Sequence, residues 1–123
     1  MHDASIQSYR DLRVWQEAML LAEMSYRHTR SFPKDELFGL TAQIRRAAAS
    51  IPANIAEGYG REQTKAYMQF LRIAHGSCKE VETHLILADR VLDTPPPGSE
   101  KLLNQAEIVG KMLRGLIRSL DPG

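Results

Sequence analysis

Between Leu37 and Gly60 apolar residues recur at steps of three and four: Leu37, Leu40, Ile44, Ala48, Ile51 and Ile55. That spacing puts them on one face of a helix. Pro52 falls inside the pattern, where it removes a donor and crowds the Ala48 carbonyl, so a kink is predicted. A second row, Gln43, Arg46, Ser50, Asn54 and Glu57, follows one flank of the apolar face at the same steps. This helix is predicted to be the hub of an all-helical bundle.

Three further helices are predicted around it. Residues 1–10 read as frayed or loosely docked, and Asp11 is a candidate N-cap for a helix running to about Arg30. Its buried face is predicted to be Leu12, Trp15, Met19, Ala22 and Tyr26, with Trp15 a core anchor. Phe32-Pro33 breaks the chain, and Asp35 and Glu36 suit the first turn of the hub helix. Gly58-Tyr59-Gly60 reads as its stop, with Gly58 free to turn left-handed. Thr64 is a candidate N-cap for the third helix. Tyr67, Leu71, Ala74, Cys78, Val81, Leu85, Ala88 and Leu92 alternate steps of four and three without a slip, the seam of a left-handed bundle. A second row on this helix, Phe70, Ile73, Ser77, His84, Leu87 and Val91, lies about a quarter turn away. One buried seam does not need it, so either the core is wide or this face meets another subunit. Three prolines in Asp93–Gly98 form the one clear linker. Ser99 is a candidate N-cap for a fourth helix with the seam Leu102, Ala106, Val109, Leu113, Leu116 and Leu120. The fold class is therefore all-α, an up-down-up-down left-handed four-helix bundle in a single domain over residues 11–121.

Composition narrows function by exclusion. The 123 residues carry a formal charge of +1, with 43% apolar and 25% charged residues. There is no global field to draw nucleic acid or an anionic membrane, and no apolar stretch of membrane-spanning length. Cys78 is the single cysteine, which fits a reducing, cytoplasmic compartment. On the core seam it reads as a small apolar residue. His2, His28, His75 and His84 form no close ligand cluster, and the paired Glu-x-x-His motifs of a di-metal bundle are absent. Glu80 and His84 form one pair without partners. No nucleophile motif is present, so no enzyme, cofactor, metal or small-molecule substrate is expected.

Two patches carry expectations. Gln43, Arg46, Asn54 and Glu57 on the hub helix are expected to form a covered polar network that sets register at a helix or subunit contact; if exposed, they are ordinary surface charges. Arg45, Arg61, Lys65 and Arg72 straddle the junction of helices two and three. In a ring they could repeat into a basic track for RNA or DNA phosphates; singly they are solubilising charges.

The blocks Asp11-Leu12-Arg13-Val14-Trp15, Phe32-Pro33, Leu40-Thr41-x-Gln43-Ile44-Arg45-Arg46-Ala47, Ser50 through Gly60, and Phe70-Leu71-x-Ile73-Ala74-x-Gly76-Ser77 closely resemble the four-helix-bundle family of bacterial 23S rRNA-intervening-sequence proteins. Similarity runs from about Tyr9 to Leu120. The resemblance implies an up-down-up-down bundle assembled as a homopentameric ring, and it brings no catalytic residue. The family name reflects genes found inside intervening sequences of large-subunit rRNA genes. A related branch, accessory proteins of diversity-generating retroelements, is a basic pentamer that binds nucleic acid and a reverse transcriptase; this chain departs from it in its near-neutral charge. The expectation is a cytoplasmic, non-enzymatic, self-assembling binding or scaffold module, the alternative a nucleic-acid-binding ring.

Overall fold

The computed structural model describes residues 6–123, and among them the chain is all helix, turn and loop. Four helices follow in order: α1 (Arg13–Thr29), α2 (Leu40–Gly60), α3 (Thr64–Val91) and α4 (Ser99–Leu120). Each packs on its neighbour in sequence, and α1 closes on α4. The result is the expected all-α four-helix bundle. At 28 residues, α3 is about 42 Å long and spans the whole bundle.

The core is where the periodicity puts it in α2, α3 and α4. Ile44, Ala48, Ile51 and Ile55 of α2 are fully buried against Leu71, Ala74, Cys78, Val81 and Leu85 of α3. Leu102, Ala106, Val109 and Leu113 of α4 close the core, with Leu116 and Leu120 packed on its edge. α2 runs through Pro52 without interruption. In the turn where the missing proline N–H leaves the Ala48 carbonyl without its usual donor, the Ser50 hydroxyl lies 2.7 Å from the Ala47 carbonyl.

Several local expectations need correction. Asp11 does not cap α1. Its carboxylate accepts from the Gln7 and Ser8 amides at 2.8 and 3.1 Å, closing a capped 3-10 turn over Tyr9–Asp11. Tyr9 then packs edge-on against Trp15 with centroids 5.3 Å apart, so the docked chain reaches back to Ser8. Residues 1–5 of the expected frayed terminus lie outside the described residues. The buried stripe of α1 is Val14, Ala18, Leu21, Ala22, Ser25 and Thr29, rotated from the predicted face, while Trp15 is half-buried and Tyr26 exposed. α2 begins three residues later than its apolar pattern: Lys34–Glu36 is a separate 3-10 turn, Leu37 is 50% exposed, and Glu36 caps α2 by accepting from the Leu40 amide at 3.1 Å. Gly58 stays helical; the left-handed residue of the α2–α3 turn is Glu62, with φ of 62°. Gln63 and Gly98, not Thr64 and Ser99, occupy the cap positions of α3 and α4.

Candidate functional site

The α2–α3 pair carries most of the candidate residues, and its geometry follows from small side chains. The helices run antiparallel, since Ser50 meets Ser77 in a 2.7 Å hydroxyl contact while Gly58 meets Tyr67 and Phe70. A Cβ on Gly58 would sit 2.6 Å from the Phe70 Cβ, closer than two carbons can come. Gly58 is therefore needed for close approach. Along this contact a groove of about 430 Å³ opens on the flank, lined by Gln43, Arg46 and Asn54 from α2 and by Ile73, Glu80 and His84 from α3. Ser50 and Ser77 form its floor.

Three of the four residues of the expected network share this groove. Asn54 is half-buried and donates to the Ser50 carbonyl at 2.7 Å, a local bond that turns its amide along its own helix. Gln43 and Arg46 are exposed at the rim. Glu57 lies outside the groove and pairs with Arg61 one turn on, at 2.9 Å, with the two side chains 53% and 54% exposed. Within one chain the four do not join into a single network. Opposite them, His84 Nδ1 is buried without a hydrogen-bond partner among the described residues, and no hydrogen bond joins His84 to Glu80.

The four basic candidates do not form one track within the chain either. Arg45 leaves α2 on the other flank. Its Nε donates to Thr29 Oγ1 at 2.9 Å and its guanidinium lies 4.9 Å over the Tyr26 ring. Arg61 is held between Glu57 and the Phe70 ring, 5.1 Å from its centroid. Lys65 and Arg72 are exposed on the first turns of α3, with no ion pair among the described residues.

The titratable groups give little for chemistry. Cys78 is fully buried, and burial first, then the nearby Glu82 carboxylate, push its thiol up to about 12; at neutral pH it is not a thiolate. Burial also pushes the Tyr67 hydroxyl up to about 12, with Tyr59 packed edge-on beside it. Burial lowers His75 and His28, the latter against an opposing pull from Asp89. No group of three metal-ligating side chains occurs among the described residues, and no helix there is long and apolar enough to cross a membrane.

Sequence periodicity missed one buried polar link. Gln105 of α4 is 7% exposed and donates to the Glu17 carbonyl and carboxylate at 2.9 and 3.0 Å. It joins positions far apart in the chain, and its only sequence signal is a glutamine inside an apolar seam.

With the groove, its walls and its neighbours placed, the chain can be set against known proteins. A family model described as 23S rRNA-intervening sequence protein matches residues 10–115. The chain belongs to that family. In this 23S rRNA-intervening sequence protein the match takes in α1, α2, α3, most of α4 and every candidate residue named above. A protein of unknown function from the S23 ribosomal protein family of Bacteroides thetaiotaomicron VPI-5482, known from a crystal structure at 1.70 Å resolution, has a similar fold. It is 24% identical, the alignment covers 85% of this chain and 95% of that one, and the TM-score is 0.76. No protein of curated function matches.

Proposed function

We propose that this chain is a non-catalytic four-helix bundle that assembles with copies of itself, as a pentamer, and serves in the cytoplasm as a binding or scaffold module. The observation that carries the reading is the second row of α3. Ile73, Leu87 and Val91 are 45%, 43% and 55% exposed, whereas Phe70 and Ser77 of the same row pack on α2 and the seam from Leu71 to Ala88 is buried. Single exposed apolar side chains are ordinary on a soluble surface; a row in register along one helix marks a contact surface. The polar groove of Gln43, Arg46 and Asn54 borders this row at Ile73, giving it the mixed apolar and polar character of a subunit interface. Burial of Cys78 supports the non-catalytic part. Sedimentation or light scattering tests the reading. A mass five times that of the 13.9 kDa chain is expected, and a monomer across the micromolar range overturns it. Leu87→Glu with Val91→Glu should shift the assembled mass downwards.

A second reading, an RNA- or DNA-binding ring, draws on the exposed Lys65 and Arg72, brought together by repetition round the ring. Gel shifts with structured rRNA across a salt series test it. Phosphate contact gives steep salt dependence, and a Lys65→Gln/Arg72→Gln variant should lose it; unchanged binding by that variant overturns the reading.

A further inference from the structure

An assembled chain needs a second surface to receive the first. Building on the self-assembly proposed above, we infer that this second surface is the cleft between α1 and α2, and that Phe38 of the neighbouring copy is the side chain that enters it. Phe38 is 93% exposed and Leu37 beside it 50%. They do not sit on a loose tip. The 3-10 turn Lys34–Glu36 precedes them, Gly39 N donates to the Glu36 carbonyl at 3.0 Å, and the Glu36 carboxylate caps Leu40. The aromatic ring is thus held out on ordered backbone, and little further ordering is needed to dock it. The knob also adjoins the α3 row, because Asp35 and Glu36 line one groove with Val91 at that end of the bundle. The turn that carries the knob and the Val91 end of the row thus border the same groove.

The receiving cleft lies on the opposite flank of α2. It has a volume of about 360 Å³ and is walled by Met19, Ala22, Tyr26, Ala49 and Pro52. Small side chains and a proline ring leave a hollow there, mostly apolar and large enough for a phenyl ring. In its own chain Phe38 is almost wholly exposed, so it does not fill its own cleft. Charge matches as well as shape. Lys34, Asp35 and Glu36 precede the knob, and Glu23, Arg27 and Arg30 rim the cleft, so the excess charge is acidic beside the knob and basic at the socket. Arg30 has no ion pair among the described residues, and Arg27 has a 3.7 Å contact to Glu23 with both side chains more than half exposed. An acid-flanked aromatic knob and a basic-rimmed apolar socket on the same chain are complementary halves of one contact, which points to a second copy as the occupant. Because the halves lie on different flanks, the contact is head-to-tail, the type that closes a ring or extends a filament.

The heterologous geometry makes a specific test. Phe38→Ser removes the knob, and Ala49→Arg fills the socket at an exposed helical position; at dilutions where the parent is dissociated, both variants should unfold as it does. Each alone should self-associate more weakly by on the order of 10- to 100-fold, as expected for losing one buried aromatic anchor. Mixed in equal amounts they should form a one-to-one dimer, because the Ala49→Arg chain keeps its knob and the Phe38→Ser chain keeps its socket. If the parent assembles and Phe38→Ser assembles equally well, the knob is overturned while self-assembly stands. If both variants are monomers and the mixture stays monomeric, the head-to-tail pairing is overturned. A monomeric parent removes the self-assembly reading and this contact with it.

Discussion

Arg45 and Arg46 are adjacent in sequence and leave α2 on opposite flanks. Arg45 turns toward α1, where it donates to Thr29 Oγ1 at 2.9 Å and to the Tyr26 carbonyl at 3.4 Å and stacks on the Tyr26 ring. Arg46 turns toward α3, lines the polar groove and makes no hydrogen bond or ion pair among the described residues. The difference lies in what each neighbour offers. The last turn of α1 presents carbonyls without helical partners at the negative end of a dipole, so the fold itself supplies an acceptor for Arg45. The facing stretch of α3 presents Ser77, bonded to Ser50, and Glu80 and His84 further along the groove, and none of them is bonded to Arg46. On one flank the arginine is satisfied within the chain; on the other it is left without a hydrogen bond or ion pair among the described residues.

The largest effect expected on this comparison comes from the seam beneath the α3-facing flank. Cys78 ordinarily titrates at 9.0 and is held up to about 12 in the fold by burial. Between those values the unfolded chain loses the thiol proton and the folded chain keeps it. Stability therefore falls as pH rises through that window, by about 1.4 kcal/mol per pH unit from this one group. Urea unfolding at pH 8, 9.5 and 11 should show the fall, and Cys78→Ala should flatten it. A slope remains from Tyr67, which is held up in the same direction.

Next in size is the close approach that brings the two walls of the groove together. Gly58→Ala should destabilise by about 1–3 kcal/mol, because its Cβ meets the Phe70 Cβ at 2.6 Å and one helix has to shift. Gly76→Ala, in the exposed middle of α3 with nothing within 4 Å, should instead stabilise by about 0.5–1 kcal/mol through helix propensity. Opposite signs in denaturant melts would show that packing, not backbone preference, decides at Gly58. Equal signs would break the contact.

How far the sequence revealed this follows the same divide. The α3 seam was legible because eight apolar positions step without a slip, and Leu71, Ala74, Cys78, Val81 and Leu85 are all fully buried. The α1 face was not. Its buried stripe holds Ala18, Ser25 and Thr29, whose hydroxyls bond back to the Leu21 and Ser25 carbonyls at 2.8 and 2.9 Å. Large residues at the edge, Trp15, Met19 and Tyr26, carried a stronger apolar signal than the small ones that let the helices approach. For the site, Gln43, Arg46 and Asn54 of the row Gln43, Arg46, Asn54 and Glu57 line one groove, and Glu57 lies outside it. The opposing wall was out of reach, because Ile73, Ser77 and His84 meet that flank only through a register set by Gly58 and the Ser50–Ser77 contact. Arg45 was grouped with Arg61, Lys65 and Arg72 by closeness in sequence, and the turn of the helix separates them.

On the α1-facing flank, Thr29→Val keeps the shape and removes the acceptor for Arg45. Thr29 is 2% exposed, so Arg45 Nε loses a partner that water does not readily replace. A loss of about 1–2 kcal/mol in chemical unfolding is expected. If Thr29→Val unfolds like the parent, the arginine finds water after all and the two flanks are less different than their geometry suggests.

The smallest expected effects are on the α3-facing flank, and there the smallness carries the meaning. The Glu57–Arg61 pair is half exposed at 2.9 Å, and such pairs contribute roughly 0.5 kcal/mol or less. Arg46 has no partner among the described residues to lose. Glu57→Ala and Arg46→Ala should therefore each leave the unfolding free energy of the dilute chain within about 0.5 kcal/mol of the parent. The same two changes should lower the assembled mass at fixed concentration if this flank meets a neighbouring copy, since a donor or acceptor then loses a partner in a covered contact. An unchanged melt together with an unchanged mass would make Gln43, Arg46, Asn54 and Glu57 a solvated surface, and the α3 apolar row would have to hold the subunits without them.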